Sequence, residues 1–480
     1  MVKPSPKKVA GKKAVASQPR MAANGYRLPD PLPKGEILID NTKRSWILGE
    51  SIGVGGFGEI YLAKSASKDN ADYEYVIKVD HNNGPLFNEM HFYYRVAKSE
   101  FIKDWVQKKG LTFLGMPRFV ASGLHDKQSN GAGAPKGRGI KKPQPSLKYR
   151  FLVMPRFGTD LQKMLDVHKQ FSLKAAYSIA IKIIDILEFI HSFGYIHSDI
   201  KASNLLLSLQ EEQRKVKGKN SGIFSEVYLV DFGLVERYVF KDDGVHKKFE
   251  EDARRANNGT AEFSSRDAHI GCFSRRSDIE ILCYNILSWM SGGRLPWMFN
   301  LKDSAYVKQC KNYYMERTTE LLNYCFPPSS SSPPPVAVLS KKSETNTNAK
   351  VVDRTKPSPS IPPGIAEFIK YTINLKFEEE PDYGYLKSVL EKAIVKSGEK
   401  SDGKFSFVQS NTISPPTRTS RTPRTPRTSR TSRSSSSSSS LSPIKSPKSL
   451  PPKTRSPNGT AAKRAAAPSP SPVLRSRRRI

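Results

Sequence analysis

The sequence predicts an α+β fold with two lobes, a small N-terminal lobe rich in β-strands and a larger helical C-terminal lobe. Strand-like apolar runs on both sides of a glycine-rich turn dominate residues 37–157. Apolar residues at helical spacing dominate residues 158–396, beginning with a long helix after Ser172. Residues 1–36 and 397–480 are rich in Lys, Arg, Ser, Thr and Pro, so we expect two disordered basic tails.

The positive charge of the chain is unevenly distributed. The 480 residues carry a formal net charge of +33. Residues 401–480 contain 17 Lys and Arg against one Asp, a net charge of +16, and residues 1–30 contain seven against one, a net charge of +6. Such tails favour polyanions, and we expect non-specific contact with DNA, RNA or chromatin. A merely soluble tail that accepts phosphate groups is the alternative.

Cysteine usage and apolar runs indicate an intracellular protein. The four cysteines, at 272, 283, 310 and 325, form no CxxC pair, so neither a zinc site nor a disulfide framework is indicated. No apolar run is long enough to span a bilayer, and the charged N-terminus does not have the pattern of a secretory signal. Residues 327–362, rich in Ser, Pro and Lys, are predicted to be a disordered insertion in the second lobe.

A glycine-rich stretch indicates phosphate binding in the first lobe. Gly53, Gly55 and Gly58 form a GxGxxG pattern, and glycine lets backbone N–H groups approach phosphate oxygens. A strand follows the pattern, whereas a helix follows it in dinucleotide-binding folds, so a hairpin over a nucleotide is favoured. The residues expected to contact the nucleotide here are Ile52, Gly53, Val54, Gly55, Gly56, Phe57, Gly58, Glu59 and Ile60.

A lysine and a glutamate add to this nucleotide site. Lys78 lies in the strand-like run 75–79, where a half-buried ammonium group needs an anionic partner. We expect a triphosphate and Glu89 to supply that charge, with Glu89 on a helix that begins at Pro85. The alternative for Lys78 is a surface lysine whose apolar stem packs on the sheet.

The run after the next apolar strand is predicted to bind adenine. Phe151 to Met154 form a buried strand that leads into Pro155 and Phe157. Proline lacks an N–H but keeps its carbonyl. This run resembles the hinge of protein kinases, in which the carbonyl of the first residue accepts a hydrogen bond from adenine and the N–H of the third residue donates one. The resemblance therefore implies these two roles for Pro155 and Phe157.

The second lobe carries the residue pattern of phosphoryl transfer. Asp199, Lys201 and Asn204 lie in one loop, and Asp231 begins an Asp-Phe-Gly motif further on. The reaction needs a carboxylate to orient the attacking hydroxyl and take its proton, a cation on the transferred phosphate, and oxygen ligands for Mg²⁺. Asp199 fits the first role and Lys201 the second. Asn204 and Asp231 fit the role of metal ligands, and Mn²⁺ could take the place of Mg²⁺.

These motifs resemble those of the vaccinia-related kinase family, in the casein-kinase-1 group of Ser/Thr protein kinases. The matching runs are 83–87, 157–161, 199–207, 259–263, 274–282, 300–303 and 325–327. The resemblance covers about residues 37–396 and implies a two-lobed protein kinase fold that uses ATP and Mg²⁺. It also implies a nuclear, chromatin-associated enzyme, with a further cytoplasmic fraction, whose substrates include histones and barrier-to-autointegration factor. We expect a non-specific Ser/Thr protein kinase, monomeric, acting in cell-cycle, chromatin or nuclear-envelope regulation.

Two departures from the kinase pattern and two competing functions bear on this interpretation. Ser198 stands where most kinases have Arg, and Phe232 stands where family members often have Tyr. One competitor is an inert kinase-fold scaffold held on chromatin or RNA by its tail, which the presence of Lys78, Asp199 and Asp231 argues against. The other is an Arg/Ser-rich RNA-binding protein, and no aromatic RNA-binding motif accompanies the repeats.

Overall fold

The computed structural model describes residues 19–22, 25–56, 58–67, 72–127, 147–216, 222–327 and 361–407. All of them belong to the first of the two units into which the chain divides, Met1–Thr412. Phe57, nearly all of the predicted insertion and most of both predicted tails lie outside the described residues.

Six strands form one antiparallel sheet in the N-terminal lobe. They are β1 (Ile37–Ile39), β2 (Ser45–Gly55), β3 (Gly58–Ser65), β4 (Tyr75–His81), β5 (Ala121–Lys127) and β6 (Leu147–Pro155). Their spatial order is β1-β2-β3-β4-β6-β5. Alternate residues bury one face of the sheet, as Tyr61 and Ala63 do on β3 and Ile77 and Val79 do on β4. Lys78 therefore lies on the opposite face.

Two helices lie between β4 and β5 along the chain, α1 (Leu86–Val96) and α2 (Ser99–Lys109). Helix α1 begins directly after Pro85, as predicted. Its buried residues recur at three- and four-residue spacing and include Glu89, Phe92 and Tyr93. This face brings the Glu89 carboxylate to the inner side of the sheet.

The C-terminal lobe is helical. Its helices are α3 (Leu161–His168), α4 (Leu173–Ser192), α5 (Leu209–Val216), α6 (Arg275–Ser291), α7 (Ser304–Glu316), α8 (Thr318–Cys325), α9 (Ile365–Asn374) and α10 (Tyr383–Lys396). Its short strands are β7 (Tyr195–Ile196), β8 (Leu205–Leu207), β9 (Ile223–Phe224), β10 (Val227–Leu229), β11 (Glu236–Arg237) and β12 (Phe405–Ser406). They pair as β8 with β10, β7 with β11, and β9 with β12. The predicted two-lobed kinase fold is confirmed.

Helices α4 and α6 form the centre of this lobe. The Ser172 hydroxyl caps α4 by accepting a hydrogen bond from the Ala175 N–H at 3.2 Å, and Gly194 follows the helix with a φ of 79°. That left-handed conformation suits glycine and ends the helix. Helix α6 is buried from Ser277 to Ser291, with Trp289 fully enclosed. Two well-packed helices thus support the loop between β7 and β8.

The ordered structure extends beyond both predicted domain boundaries, 37 and 396. Leu28 and Leu32 are buried against the N-terminal lobe, and Phe405 and Phe407 are buried in the C-terminal lobe. These apolar residues are too sparse to form a periodic pattern, but each fills space against a distant part of the chain. Helix α5 lies between β8 and β10 along the chain.

Within the described residues, no helix combines the length and the apolar character needed to cross a membrane.

Candidate active site

Lys78 is the central charge of the cleft between the lobes. Its ammonium donates to the Glu89 carboxylate at 2.6 Å and to the Asp231 carboxylate at 2.8 Å. Burial alone lowers the pKa of Lys78, and the charges of Asp231 and Glu89 reverse this effect, so its pKa lies above the ordinary value. The structure thus joins three predicted site residues from strand β4, helix α1 and the second lobe.

Asp231 remains an anion in this partly buried setting. Burial raises its pKa, but the ammonium of Lys78 lowers it further, so the pKa lies below the ordinary value. Phe232, the next residue, is fully buried and stacks on Phe92 of α1 with ring centroids 4.4 Å apart. This stacking fixes the Asp231 backbone, which has a φ of 63°, and aims its carboxylate at Lys78.

The glycine-rich stretch forms the hairpin between β2 and β3. Gly53 lies opposite Ile60 and Gly55 lies opposite Gly58, and Ile60 in turn lies opposite Lys78 on β4. A Cβ on Gly58 would lie 2.5 Å from the Val79 carbonyl oxygen, so only glycine permits this approach of the strands.

The other residues predicted in this stretch have different surroundings. Ile52 and Val54 each expose about half of their surface, 53% and 49%, at the end of the hairpin. Gly56 forms the turn, and Phe57 lies outside the described residues. Glu59 was expected to face the nucleotide, but its carboxylate forms an ion pair with Arg20 and accepts a hydrogen bond from Ser51. Strand alternation turns Glu59 to the face opposite Ile60, so this part of the prediction is corrected.

The carbonyl of Pro155 points away from strand β4. The Arg156 N–H donates to the Glu74 carbonyl at 2.9 Å, which makes these two a hydrogen-bonded pair of the antiparallel ladder. Hydrogen-bonded and non-hydrogen-bonded pairs alternate. Pro155, opposite Tyr75, therefore occupies a non-hydrogen-bonded position, and its carbonyl remains available for adenine.

The N–H of Phe157 is the next backbone donor along this segment. Gly158 already donates its N–H to the Leu207 carbonyl at 2.8 Å, whereas within the described residues no hydrogen bond involves the Phe157 N–H. The Phe157 ring lies 4.2 Å from that of Tyr228, which fixes the side chain against the second lobe. The Pro155 carbonyl and the Phe157 N–H therefore both remain candidates for adenine binding.

Asp199 lies in a dense set of hydrogen bonds. Its carboxylate accepts from the Lys201 ammonium at 2.7 Å and from the Thr260 hydroxyl at 2.7 Å. Lys201 also donates to the Thr260 hydroxyl oxygen at 2.9 Å. Asn204 donates its amide to the Asp199 backbone carbonyl at 2.9 Å. The structure therefore joins all the predicted residues of this loop and adds one, Thr260.

Thr260 was not assigned a role from the sequence, because it lies 61 positions from Asp199. The signal that could have identified it is the glycine before it. Gly259 has a φ of 99°, and a Cβ there would lie 2.9 Å from the Ser198 carbonyl oxygen. A glycine directly before a hydroxyl residue permits such a close approach to the catalytic loop.

The buried carboxylate of Asp278 binds the backbone of the loop that carries Asp199. Asp278 on α6 accepts hydrogen bonds from the N–H groups of His197 at 2.7 Å and Ser198 at 2.9 Å. It also contacts the His191 ring at 2.9 Å, so His191 has a structural role. The buried His197 has a pKa below the ordinary value because burial disfavours its charge. A neutral ring suits its bonds, in which Nε2 faces the Val230 carbonyl and Nδ1 accepts from Asp199 N–H.

The segment that carries Thr260 is held by a fully buried lysine. Lys311 on α7 donates to the carbonyls of Ala261 at 2.8 Å and Ser264 at 2.6 Å. Its side-chain nitrogen also lies over the Trp297 ring, 5.4 Å from the centroid, and the Trp297 indole donates to the Glu262 carbonyl at 2.8 Å. These contacts fix the Thr260 segment against the C-terminal lobe.

The oxygen atoms of Asn204 and Asp231 suit Mg²⁺. Within the described chain, no cluster of three or more His, Cys, Asp or Glu side chains could hold a metal by themselves. Mg²⁺ in phosphoryl-transfer sites is bound by one or two protein groups and completed by the phosphates of the substrate. The Asn204 amide nitrogen is engaged by Asp199, so its side-chain oxygen is the atom that could bind a metal together with the Asp231 carboxylate. The residues present therefore fit this cofactor.

Comparisons with known proteins agree with this geometry. The model of the protein kinase domain matches residues 144–264. Nucleosomal histone kinase 1 of Drosophila melanogaster is 35% identical over 421 residues, which cover 86% of this chain and 59% of the relative. Serine/threonine-protein kinase VRK2 of Homo sapiens is 39% identical over 367 residues, which cover 76% and 60%. The B1 kinase of vaccinia virus (strain Western Reserve) is 34% identical over 294 residues, which cover 60% and 85%.

A solved structure has the same fold. The structure of vaccinia related kinase 3 superposes with a TM-score of 0.58 at 26% sequence identity, over 78% of this chain and 95% of that chain. The chain spans about three fifths of the length of the fly and human relatives.

Proposed function

The chain belongs to the vaccinia-related kinase family, and on this basis we propose that it is a protein kinase that transfers the γ-phosphate of ATP to Ser and Thr residues of nuclear proteins. The observation that carries the proposal is the carboxylate of Asp199, held by Lys201 and Thr260. A carboxylate in this position can orient an acceptor hydroxyl and take its proton. The neighbouring Lys201 ammonium can pair with the transferred phosphate.

The nucleotide is proposed to lie between the glycine hairpin and the second lobe. Lys78 is held as a cation by Glu89 and Asp231, and it can pair with phosphate oxygens. The Pro155 carbonyl and the Phe157 N–H would bind adenine, and Ile52 and Ile60 would cover it. Mg²⁺, or Mn²⁺ in its place, would supply charge neutralisation of the triphosphate, with Asn204 and Asp231 as its protein ligands.

Histones and barrier-to-autointegration factor are the proposed substrates. The name of the fly relative, nucleosomal histone kinase 1, supports a histone substrate. The family resemblance supports barrier-to-autointegration factor and a role in the cell cycle or at the nuclear envelope. The net charge of +16 on residues 401–480 supports a chromatin-associated location in the nucleus. The enzyme is proposed to act as a monomer.

A transfer assay tests this function. The recombinant full chain is incubated with ATP and Mg²⁺, and with histones or barrier-to-autointegration factor. Phosphoserine or phosphothreonine is expected in the product. Asp199→Ala should lower kcat by about 100-fold to 10,000-fold, since the proton acceptor is lost. Asp104→Ala removes an exposed carboxylate on α2 and serves as the matched control.

Circular dichroism and thermal melting check that Asp199→Ala still folds. Transfer by this folded variant at the wild-type rate would refute the role of Asp199. A wild-type chain that transfers no phosphate to either substrate would favour the inert scaffold.

A further inference from the structure

The residues before the sheet contact strands β3 and β4. Residues 19–22 and 25–36 are here called the N-terminal strap. The Leu32 N–H donates to the Tyr61 hydroxyl at 3.0 Å, and the Tyr26 hydroxyl donates to the Asp80 carboxylate at 2.9 Å. Tyr61 lies on β3 and Asp80 on β4, so the N-terminal strap is fixed to the two strands that follow the glycine hairpin.

Arg20 forms an ion pair between the N-terminal strap and strand β3 of this hairpin. Its guanidinium donates to the Glu59 carboxylate at 2.7 Å and to the Pro29 carbonyl at 3.4 Å. The Glu59 side chain is 4% exposed, whereas that of Arg20 is 37% exposed. Burial raises the pKa of Glu59, and the hydrogen bonds from Arg20, Ser51 and Tyr61 lower it below the ordinary value. Glu59 is therefore a buried anion whose negative charge is balanced by the Arg20 guanidinium.

Glu59 also joins the two strands of the hairpin. The Ser51 hydroxyl on β2 donates to the other Glu59 carboxylate oxygen at 2.7 Å. The ladder between β2 and β3 is irregular on both sides of Ser51, with register shifts between Leu48 and Ser51 and between Ser51 and Gly53. Irregular pairing weakens the backbone hydrogen bonds at this point. The Ser51–Glu59–Arg20 contact compensates for that loss.

The hairpin carries the backbone that would bind phosphate. Glu59 lies next to Gly58 and opposite Val54, while a Cβ on Gly55 would lie 3.8 Å from the Lys78 side chain. A displacement of Glu59 would therefore move the glycine backbone relative to Lys78. The position of the phosphate loop is thus coupled to a residue that lies outside the predicted kinase domain.

We propose that Arg20 is a positioning residue for ATP, because it fixes the phosphate loop through the buried Glu59 carboxylate and the hydroxyl of Ser51. This inference rests on the proposed function in so far as ATP is the ligand. Arg20 itself touches no nucleotide. Its effect is confined to the affinity for ATP and leaves the acceptor side of the site, around Asp199 and Thr260, unchanged.

The kinetic test measures the constants for ATP and for the protein substrate separately. Arg20→Ala should raise KM for ATP about fivefold to tenfold, because a charge-assisted hydrogen bond to a buried group is lost. It should leave kcat and KM for the protein substrate within about twofold. Lys34→Ala is the matched control: Lys34 also belongs to the N-terminal strap and forms an ion pair with β2, at Glu50, but both partners are exposed. This control should leave all three constants unchanged.

Rescue and hydrogen exchange complete the test. Arg20→Lys should recover most of the affinity, and Arg20→Ala combined with Glu59→Gln should recover part of it, since no unpaired buried charge remains. In the nucleotide-free protein, the amides of residues 51–60 should exchange faster in Arg20→Ala than in the wild type or Lys34→Ala. An unchanged KM for ATP, or an unchanged exchange rate, in folded Arg20→Ala overturns the proposal.

The hydrogen-exchange measurement needs neither nucleotide nor activity. If the wild-type chain transfers no phosphate, the proposed function fails, and the exchange of residues 51–60 still decides whether Arg20 fixes the loop. If the wild type is active and Arg20→Ala behaves like Lys34→Ala in both measurements, only the role of Arg20 fails.

Discussion

The Glu236 carboxylate forms an ion pair with the Arg255 guanidinium, within the segment that connects Asp231 to Thr260. Arg255 also lies over the Phe273 ring, 4.7 Å from its centroid. In most kinases a phosphate on this segment binds the Arg that precedes the catalytic Asp. That position is Ser198 here, and Glu236 already supplies a negative charge to an arginine of the segment.

We therefore predict that activity does not require phosphorylation between Asp231 and Asp267. Protein treated with phosphatase should retain the kcat of untreated protein in the transfer assay. Glu236→Ala should lower kcat about tenfold, because Arg255 loses its partner. The result that contradicts this prediction is a phosphatase-treated enzyme that stays inactive until a residue of the segment is phosphorylated.

Thr260 is predicted to contribute to catalysis through its hydroxyl. Thr260→Ala removes the hydrogen bond to the Asp199 carboxylate and the acceptor for Lys201. We expect kcat to fall about 10-fold to 100-fold, since Asp199 loses its orientation. Thr260→Ser keeps the hydroxyl and is the matched control, with kcat close to the wild type. Equal activity of the Ala and Ser variants would exclude this role.

Ser198 is predicted to be a strained residue. Its φ is 68°, its hydroxyl oxygen is buried, and that oxygen has no hydrogen-bond partner within the described residues. Ser198→Gly should raise the free energy of unfolding by about 1 kcal/mol, because glycine adopts positive φ without strain and removes the unpaired hydroxyl. Urea unfolding measures this change. Ser203→Gly, at an exposed position without positive φ, should give no gain.

The buried Lys311 predicts a dependence of stability on pH. Burial lowers its pKa from 10.5 to about 7, while the carboxylates of Glu280 and Glu262 oppose the shift and the His269 ring nitrogen lies 3.3 Å away. The two carbonyls that it contacts match the two N–H bonds of a neutral amine. Between pH 7 and pH 10.5 the unfolded chain binds more protons than the folded chain, so the free energy of unfolding should rise with pH.

Urea titrations at pH 7, 8 and 9 measure this slope. Lys311→Met removes the titrating group, so the variant should show a smaller rise with pH than the wild type. Lys302→Met changes an exposed lysine just before α7, the helix that carries Lys311, and should keep the wild-type slope. Parallel curves for the wild type and Lys311→Met would show that another group causes the dependence.

The C-terminal tail is predicted to bind DNA through charge alone. Arg recurs at every third position from 418 to 433, and such residues pair with phosphates without reading a sequence. A truncation to residues 1–412 keeps the buried Phe405 and Phe407 and should lose most of the affinity and of its salt dependence. Phosphorylation should weaken binding as well, since eight Ser or Thr residues precede Pro from Ser414 to Ser471.

DNA binding by the full chain, by residues 1–412 and by the phosphorylated full chain should be compared across a range of salt concentrations. Equal affinities and equal salt slopes would leave only the alternative, a merely soluble tail that accepts phosphate groups. A truncation to residues 1–396 checks the new domain boundary, and it should melt at a lower temperature than residues 1–412 because it lacks β12.

The sequence predicts the parts of the site that depend on local patterns. The glycine hairpin, Lys78, Asp199 and Asp231 lie in short motifs whose spacing is set by the chemistry of phosphate and metal binding. The cap of α4 by Ser172 is similarly local. Such features need only a few neighbouring residues, so the sequence alone suffices to predict them.

Contacts between distant segments could not be predicted in this way. Thr260 reaches Asp199 only because Gly259 and Lys311 fix its segment, and Arg20 reaches Glu59 from outside the predicted domain. Each contact depends on tertiary packing, for which a single sequence contains no periodic signal. Glu59 itself was misassigned, because the glycine motif does not reveal which face of the strand each residue occupies.

The buried carboxylate of Asp278 has a mechanical consequence. It binds both the catalytic loop and His191, so hydrogen bonds connect the loop of Asp199 to α4 and α6. Lys78 belongs to the sheet, and its contact with Asp231 links the sheet to the second lobe. Widening of the cleft would therefore stretch the Lys78–Asp231 contact and preserve the Asp199–Thr260 contact. The rate of nucleotide exchange and the alignment of the acceptor can thus be tuned independently, by different residues.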